Sequence, residues 1–421
     1  MTEKLLQYIW QFQYFNRAQL ATTKGEAVDI LFPGTKNQNQ GPDFLAARIK
    51  INNTVLVGSV ELHLKTSEWK AHGHSLDENY KNVVLHVVLQ DDVAELNDIP
   101  VLELGQRIPK LLLHKYEALM QQQTFVPCAT TMVQVSELTW QGWKERLAAE
   151  RLTRKSKGIL DVFEKSGHHW EETFWQLLAR NFGTKVNSDA FENIAQTVPV
   201  KLLAKHKASI HQLEALLLGQ AHLLPKEPTD DYSKLLLREY LFLKAKYNLQ
   251  PTVIPVHFLR MRPQNFPTIR LAQLAVLIQQ SEHLFSKVLE AENVNIVKRW
   301  LSVTANDYWH YHYRFGEPSA YRPKTLGGDM VDSIIINTIV PTLFAYGLYH
   351  GKEEIKEKAI AWLQATAAEK NHITKGFKDV SITNANAFDS QALIELKNEY
   401  CNYRRCLDCA VGNALLKKWN N

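Results

Sequence analysis

The sequence predicts an α+β protein, with an N-terminal α/β domain built on a mixed sheet and a large all-α domain after it. Before residue 125, apolar and polar residues alternate in short runs bounded by Gly, Pro and Asn, which is typical of β-strands. After Pro127, apolar residues recur at i, i+3 and i+4 spacing almost throughout, which indicates helices. We therefore predict one domain over residues 1–125 and a second over residues 126–421.

The elements of the first domain are predicted in the order α-β-β-β-α-β. The helical patterns cover residues 3–15 and 75–80, and the strand patterns cover residues 25–32, 45–51, 55–65, 83–89 and 101–104. Strands followed by a helix and a further strand are typical of a small domain around a mixed sheet.

The second domain is predicted to be a succession of amphipathic helices, which cover residues 138–162, 170–181, 210–218, 232–247, 269–280, 281–291, 331–349, 353–367 and 390–419. Residues 330–349 form the most apolar stretch but contain Asp332, Asn337 and Pro341. A membrane span needs about 20 residues nearly free of such groups, so we expect a buried core helix and no membrane partner.

Composition excludes several classes of protein. The chain has 421 residues, of which 45% are hydrophobic and 22% charged, so it is not a disordered chain, a fibrous repeat or a disulfide scaffold. Four cysteines and no visible secretory signal favour the cytoplasm. Residues 1–127 hold 12 Lys+Arg and 14 Asp+Glu, and the remainder holds 37 and 30, so the net charges are about −2 and +7. A polyanion would therefore be held by the helical part.

The strongest chemical signal lies between Gly41 and His86. In the strand over residues 55–65, Glu61, His63 and Lys65 share one face, and burying such groups unpaired is costly. A two-residue turn at Asn52–Asn53 places Asp43 opposite Leu62, and a three-residue turn places it opposite His63. Two neighbouring carboxylates would be relieved by a divalent cation, Mg²⁺ or Mn²⁺, with His63 or Lys65 acting on the attacking water.

Pro42-Asp43 and Glu61-Leu62-His63 resemble the motif of the PD-(D/E)xK nuclease superfamily, in which an Asp at a strand start is followed across a hairpin by (D/E)-x-K. The resemblance implies a restriction-endonuclease-like fold, a metal held by Asp43 and Glu61, and hydrolysis of DNA or RNA. His63 occupies the place of the lysine, and Lys65 is its substitute on the same face. Some members carry an extra acidic residue, for which Glu3 and Glu26 are the candidates.

The whole chain also resembles a bacterial protein family of about this length that carries no established activity. The shared features are Gly41-Pro42-Asp43-Phe44, Val60-Glu61-Leu62-His63, Ser67-Glu68-Trp69, His72-Gly73-His74 and a late cysteine cluster followed by Ala410-Val411-Gly412.

Two other classes of protein stay open. One is a non-catalytic nucleic-acid-binding or scaffold protein with a degenerate nuclease fold, in which Asp43 caps a turn and Glu61 and Lys65 face solvent. The other is a protein whose only ion site is structural.

Histidines after the strand extend the candidate cleft. His72, His74 and Asp77 have side chains that bind Zn²⁺ or contact a phosphate. The alternative is a structural role, because Ser75 and Glu78 have the spacing of a helix capping box.

The four cysteines form a second candidate metal site. Cys401, Cys406 and Cys409 lie within nine positions, and Cys128 would supply a fourth thiolate for Zn²⁺ or an iron–sulfur cluster. Cysteine is also a small buried hydrophobe, and an unbroken helix through Cys406 and Cys409 would not wrap a metal.

Arg151, Arg154 and Lys155 share one face of a predicted helix. Such a stripe neutralises phosphates in nucleic-acid-binding proteins, although most charged faces are simply solvated.

Overall fold

The computed structural model describes residues 1–37, 39–93, 99–259, 261–281 and 283–417, and these residues form two compact units. The first unit contains residues 1–143 and the C-terminal segment from Lys397, and the second contains residues 144–396. The division therefore differs from the predicted boundary at 125/126. Periodicity reports helices and strands but not which of them pack together, so the sequence did not assign the last helix to the N-terminal unit.

The first unit is built on a mixed sheet. Its strands are β1 (Val28–Phe32), β2 (Thr35–Lys36), β3 (Phe44–Ile51), β4 (Thr54–Lys65), β5 (Val83–Gln90) and β6 (Val101–Glu103). The order is β1-β3-β4-β5-β6, with β2 paired on β3. Pairs among β1, β2, β3 and β4 are antiparallel, whereas β4, β5 and β6 are parallel. The predicted mixed sheet is confirmed, and all five predicted strands are present.

A β-bulge sets the register of the central hairpin. Ile51 pairs with Thr54 across the two-residue turn, but the register shifts by one residue between Ala47 and Phe44, so Phe44 pairs with Val60. Ala46, within the bulge, has a φ of +55°. The shift places Asp43 opposite Glu61, which neither predicted register did. Residues directly opposite each other on antiparallel strands project from the same face of the sheet.

Four helices in the N-terminal part of the first unit accompany the sheet: α1 (Glu3–Gln11), α2 (Glu68–Ala71), α3 (Lys110–Gln121) and α4 (Glu137–Lys165), which belongs to this unit as far as Trp143. Thr2 caps α1, since its hydroxyl accepts a hydrogen bond from the N–H of Leu5. The helix buries Leu5, Leu6, Ile9 and Trp10 and contacts β4. Its polar residues Glu3 and Gln7, one helical turn apart, share a face.

The second unit is almost entirely helical within the described residues. Its helices are α5 (Trp170–Phe182), α6 (Thr184–Thr197), α7 (Val200–His206), α8 (Ile210–Gln220), α9 (Asp231–Tyr247), α10 (Pro267–Gln280), α11 (Leu284–Glu290), α12 (Val294–Leu301), α13 (Asp307–His310), α14 (Gly328–Ile334), α15 (Val340–His350), α16 (Glu353–Gln364), α17 (His372–Asp379) and α18 (Ala387–Glu395). A two-stranded hairpin, β7 (His312–Arg314) and β8 (Glu317–Pro318), interrupts them.

The most apolar helix runs from α14 through a π-helical segment (Ile335–Ile339) into α15. By length and composition alone it is the one described helix that could cross a membrane, but 72% of its apolar window is buried inside the protein. Such burial is that of a core helix, as the sequence predicts.

The C-terminal segment is not the continuous helix that periodicity predicts over residues 390–419. A π-helical segment ends at Cys401, Arg404 has a φ of +52°, and Cys406–Asp408 form a 3-10 turn before α19 (Ala410–Lys417) begins. Residues 418 and 419 of the predicted helix lie outside the described residues.

Candidate metal centre

The carboxylates of Asp43 and Glu61 meet at the start of β3. The N–H of Asp43 donates to Oε2 of Glu61 at 3.0 Å, and the N–H of Leu62 donates to Oδ2 of Asp43 at 3.1 Å. Each carboxylate thus accepts a hydrogen bond from the opposite strand. Glu61 is buried and Asp43 half-buried, so the strand pairing itself holds two acidic groups together in a desolvated place.

Three imidazoles converge beside Glu61. His63 lies two residues further along β4, and His72 and His74 flank Gly73, whose φ of +74° turns the loop after α2. Their ligand atoms all lie within 4.8 Å of one another. Nε2 of His63 is 3.1 Å from Nδ1 of His72, and Oε1 of Glu61 is 3.6 Å from Nε2 of His63 and 3.4 Å from Nε2 of His74. Three ring nitrogens therefore surround one small volume, and a carboxylate oxygen of Glu61 lies beside two of them.

His86 supports this group from the neighbouring strand. It pairs with Glu61 in the parallel register of β5 on β4, and its Nε2 is 2.9 Å from Nδ1 of His63. This contact fixes the ring of His63 so that Nε2 is the nitrogen that faces His72. His86 lies in an apolar run, where a hydrogen-bonded core histidine is the usual case, and it is fully buried and hydrogen-bonded. Its partner, however, is a member of the cluster.

Aromatic rings form the wall of the cluster. Tyr80 stacks on His74 with ring centroids 3.8 Å apart, and Trp69 contacts His63, His74 and His86 edge-on or tilted. Nε2 of His74 is buried and has no hydrogen-bond partner among the described residues. A buried ring nitrogen normally has one, so this atom is free to bind a ligand.

Burial shifts the pKa values of four groups in and beside the cluster toward their neutral forms. It raises the pKa of Asp43 to about 7 and, together with the neighbouring Asp43 carboxylate, raises the pKa of Glu61 to about 8. Burial also lowers the pKa of His63 to about 3 and that of His86 to about 4. The imidazoles of His63 and His86 are thus neutral, which is the form that binds metals, and a cation would favour ionisation of both carboxylates.

Helix α1 completes the acidic side of the site. Nε2 of Gln7 donates to Oδ1 of Asp43 at 2.7 Å. The charge of Glu3 raises the pKa values of both Asp43 and Glu61, and the pKa of Glu3 itself is raised, chiefly by burial. Of the two candidates for an extra acidic residue, the structure therefore brings Glu3 to the site.

Glu26 does not join the cluster. It precedes β1, whose Val28 pairs with Ile51 at the far end of β3 from Asp43. The eight residues of β3 separate the two positions by roughly 25 Å at about 3.3 Å per residue. Glu26 instead accepts a hydrogen bond from the Thr22 hydroxyl.

Lys65 and Asp77 lie at the margin of the cluster. Lys65 is exposed at the end of β4, beyond His63. Asp77 accepts a hydrogen bond from the N–H of Asn79 and so caps the 3-10 turn Glu78–Tyr80, whereas Ser75 of the predicted capping box lies inside the preceding turn, His74–Leu76. His72 is exposed, so the cluster reaches solvent on its side.

The predicted nucleic-acid stripe is engaged inside the second unit. Arg151 and Arg154 both pair with Glu395, whose side chain is 4% exposed, at 3.2 and 2.5 Å. Lys155 donates to Asn337 and Gln391. Spacing placed the three cations on one face correctly, but that face meets an internal carboxylate because α18 packs in the same unit.

The donor set suits a divalent cation with nitrogen and oxygen ligands. Carboxylate and imidazole are the usual protein ligands of zinc and manganese, and the outer contacts of His63 and Asp43 are of the kind that orient ligands. Residues 3–372 match the family described as "Protein of unknown function (DUF2851)". No curated protein and no solved structure matches the chain. As the sequence predicts, the relatives carry no assigned activity, and the chain belongs to the DUF2851 family.

Proposed function

We propose that this protein is a divalent-metal-dependent hydrolase of phosphodiester bonds, a nuclease whose centre is the cluster of Asp43, Glu61, His63, His72 and His74. One observation carries the proposal. The ring nitrogens of three histidines surround a single volume that opens to solvent at His72, and a buried carboxylate oxygen of Glu61 lies 3.6 Å from His63 and 3.4 Å from His74.

The ligand types select among metals. Mg²⁺ takes oxygen ligands almost exclusively, whereas imidazole suits Mn²⁺, Fe²⁺ and Zn²⁺. Of the two ions predicted from the sequence, Mn²⁺ therefore fits better than Mg²⁺, and Zn²⁺ fits as well. When bound, the cation would polarise a phosphoryl oxygen and lower the pKa of a water molecule.

The order of elements supports a restriction-endonuclease-like core as part of the proposal. An α-helix, four strands with antiparallel pairing, a helical connection and two parallel strands follow one another. We match Asp43 and Glu61 to the first two acidic positions of the PD-(D/E)xK pattern. The departure is His63. Its Nε2 lies among the ligand atoms, so we assign it to the metal and leave Asp43 to hold or deprotonate water.

The test combines metal binding with cleavage. We expect the purified chain, stripped with chelator, to bind Mn²⁺ or Zn²⁺ in calorimetry and to cleave single-stranded DNA, duplex DNA, RNA or bis(p-nitrophenyl) phosphate in its presence. Glu61→Gln keeps the shape of the side chain and removes its charge, and His74→Ala removes one ligand. Both should weaken metal binding and lower cleavage about 100-fold or more.

The matched control is Glu103→Gln, an exposed glutamate on β6 of the same sheet, which should leave both readouts unchanged. Metal binding without cleavage of any of the four substrates would favour the non-catalytic alternative. Absence of Mn²⁺ and Zn²⁺ binding, or full cleavage by Glu61→Gln, would overturn the metal-hydrolase assignment.

A further inference from the structure

All four cysteines of the protein gather in the first unit, away from the histidine cluster in sequence. Cys128 follows Pro127 in a turn, and Cys401, Cys406 and Cys409 lie in the C-terminal segment of the same unit. Cys128, Cys406 and Cys409 are buried, and Cys401 is largely so. Positions 128 and 401 are 273 residues apart, so the gathering is a product of the tertiary fold.

Every pair of the four thiols is near enough to interact electrostatically. Cys401 interacts electrostatically with the other three, Cys128 interacts with Cys406 and Cys409, and Cys406 interacts with Cys409. These are all six pairs of four groups. The four cysteines are unpaired by disulfide.

The three C-terminal cysteines do not lie on one continuous helix. The sequence-based objection to a metal here is that an unbroken helix through Cys406 and Cys409 would not wrap an ion. The π-helical segment, however, stops at Cys401, and Cys409 precedes the first residue of α19. The turn is tight, because a Cβ on Gly412 would lie 2.1 Å from the carbonyl oxygen of Cys406.

Donors surround the sulfurs in the manner of a thiolate site. The N–H groups of Val411 and Gly412 donate to Cys409. The charge of Arg404 acts on Cys406 and that of Lys397 on Cys401. N–H donors to sulfur and nearby cations stabilise thiolates. Burial nevertheless raises the pKa of Cys409 to about 11, so a bound cation is what would ionise it.

We propose that Cys128, Cys401, Cys406 and Cys409 bind a tetrathiolate metal centre that joins the C-terminal segment to the turn after Pro127. Zn²⁺ and an iron–sulfur cluster both take four thiolates. In the described chain, no three of the cysteine sulfurs lie within 4.8 Å of one another. A zinc tetrathiolate has sulfur–sulfur edges of about 3.8 Å for Zn–S bonds of about 2.3 Å. Binding of zinc would therefore require the sulfur atoms to move closer together, and an iron–sulfur cluster, being larger, would require less movement.

The experiment measures metal content of the full chain purified without oxygen. We expect either one equivalent of zinc or iron with matching acid-labile sulfide and visible absorbance, and loss of that metal in Cys406→Ser/Cys409→Ser. Cys128→Ser, far away in sequence, should lose the same metal. Asp408→Asn, an exposed residue between the two cysteines, is the matched control and should retain it.

Glu61→Gln and His74→Ala should leave the thiol-bound metal in place, so failure of this proposal and failure of the proposed hydrolase are distinguishable. The inference is overturned if the parent protein contains neither zinc nor iron. It is equally overturned if folded Cys128→Ser and Cys406→Ser/Cys409→Ser, checked by circular dichroism, retain the parent's metal content.

Discussion

The main-chain N–H of Asp43 donates a hydrogen bond to the side-chain carboxylate of Glu61 at 3.0 Å. This contact exists because the β3–β4 hairpin carries a bulge. With uninterrupted pairing from Ile51 and Thr54, Asp43 would lie opposite Leu62 and its side chain would point to the other face of the sheet. The candidate metal centre therefore depends on one extra residue in β3.

Ala46 is the residue of the bulge in a left-handed conformation, with a φ of +55°. We expect Ala46→Gly to raise the free energy of unfolding by about 0.5–1 kcal/mol, because glycine adopts this conformation without steric cost. Ala46→Val should lower it by about 1–3 kcal/mol. Urea unfolding measures both. Ala47→Gly, at the buried neighbouring position, is the control and should destabilise; a stabilising effect there would disprove the conformational explanation.

His86 is predicted to act through His63, whose Nδ1 it contacts. Removing it in His86→Ala should weaken Mn²⁺ binding about 10–100-fold, since outer contacts orient metal ligands. Isothermal calorimetry measures the affinity, and thermal unfolding reports whether the fold is retained. His114→Ala, an exposed histidine on α3, should not change the affinity. Unaltered binding in a folded His86→Ala protein would show that His86 has no positioning role.

Glu214 in α8 is fully buried, and its Oε2 accepts hydrogen bonds from the Tyr232 hydroxyl at 2.6 Å and the Trp309 indole at 3.0 Å. Burial raises its pKa from 4.5 to about 7. Between these values the folded state binds more protons than the unfolded state. The stability that this group contributes is therefore fully present below pH 4.5 and is lost as the pH rises to 7, by about 3 kcal/mol in total.

Glu214→Gln should remove this pH dependence while keeping an acceptor for Tyr232 and Trp309. Urea unfolding at pH 5, 6, 7 and 8 should show the variant gaining on the parent as the pH rises. Glu145→Gln, an exposed glutamate of the same unit, should follow the parent at every pH. A constant difference between Glu214→Gln and the parent would mean that Glu214 does not titrate in this window.

Arg151 is predicted to matter for stability more than for nucleic-acid binding. Its guanidinium pairs with the buried Glu395 and donates to Gln391 at 2.6 Å. Arg151→Ala should lower the free energy of unfolding by about 2 kcal/mol, less than the loss of an entire buried pair because Arg154 still contacts Glu395. Lys157→Ala, exposed on the same helix, should change stability little. Reduced oligonucleotide affinity of a folded Arg151→Ala protein would instead indicate that Arg151 contributes to nucleic-acid binding.

Gly219 marks a close contact between α8 and α9. A Cβ at this position would lie 2.1 Å from the ring of Tyr240. Gly219→Ala should therefore destabilise by about 1–3 kcal/mol, even though alanine favours helix. Gly158→Ala on α4 meets no atom within 4 Å and should stabilise by up to about 1 kcal/mol. Thermal and urea unfolding of the two variants give the comparison, and equal effects would contradict the packing argument.

Local patterns of the sequence determined much of the architecture. Alternation located β3 and β4 to within one residue at each end, because a strand with one buried face must alternate, and an apolar β-branched run located β5 equally well. Helical periodicity located α5 and α9 equally well. The shared face of Glu61 and His63 also followed from alternation alone. These features are short-range, so neighbouring residues along the chain are enough to specify them.

Only the tertiary structure decided which distant groups meet. The bulge at Ala46 determines which residue of β4 lies opposite Asp43, and the left-handed conformation of Gly73 turns His72 and His74 toward His63. Packing within the second unit pairs Arg151 with Glu395, and packing within the first unit brings Cys128 near the C-terminal cysteines. Periodicity carries no information on register shifts or on contacts between elements far apart in sequence, since these are set by the summed burial and hydrogen bonding of the whole fold.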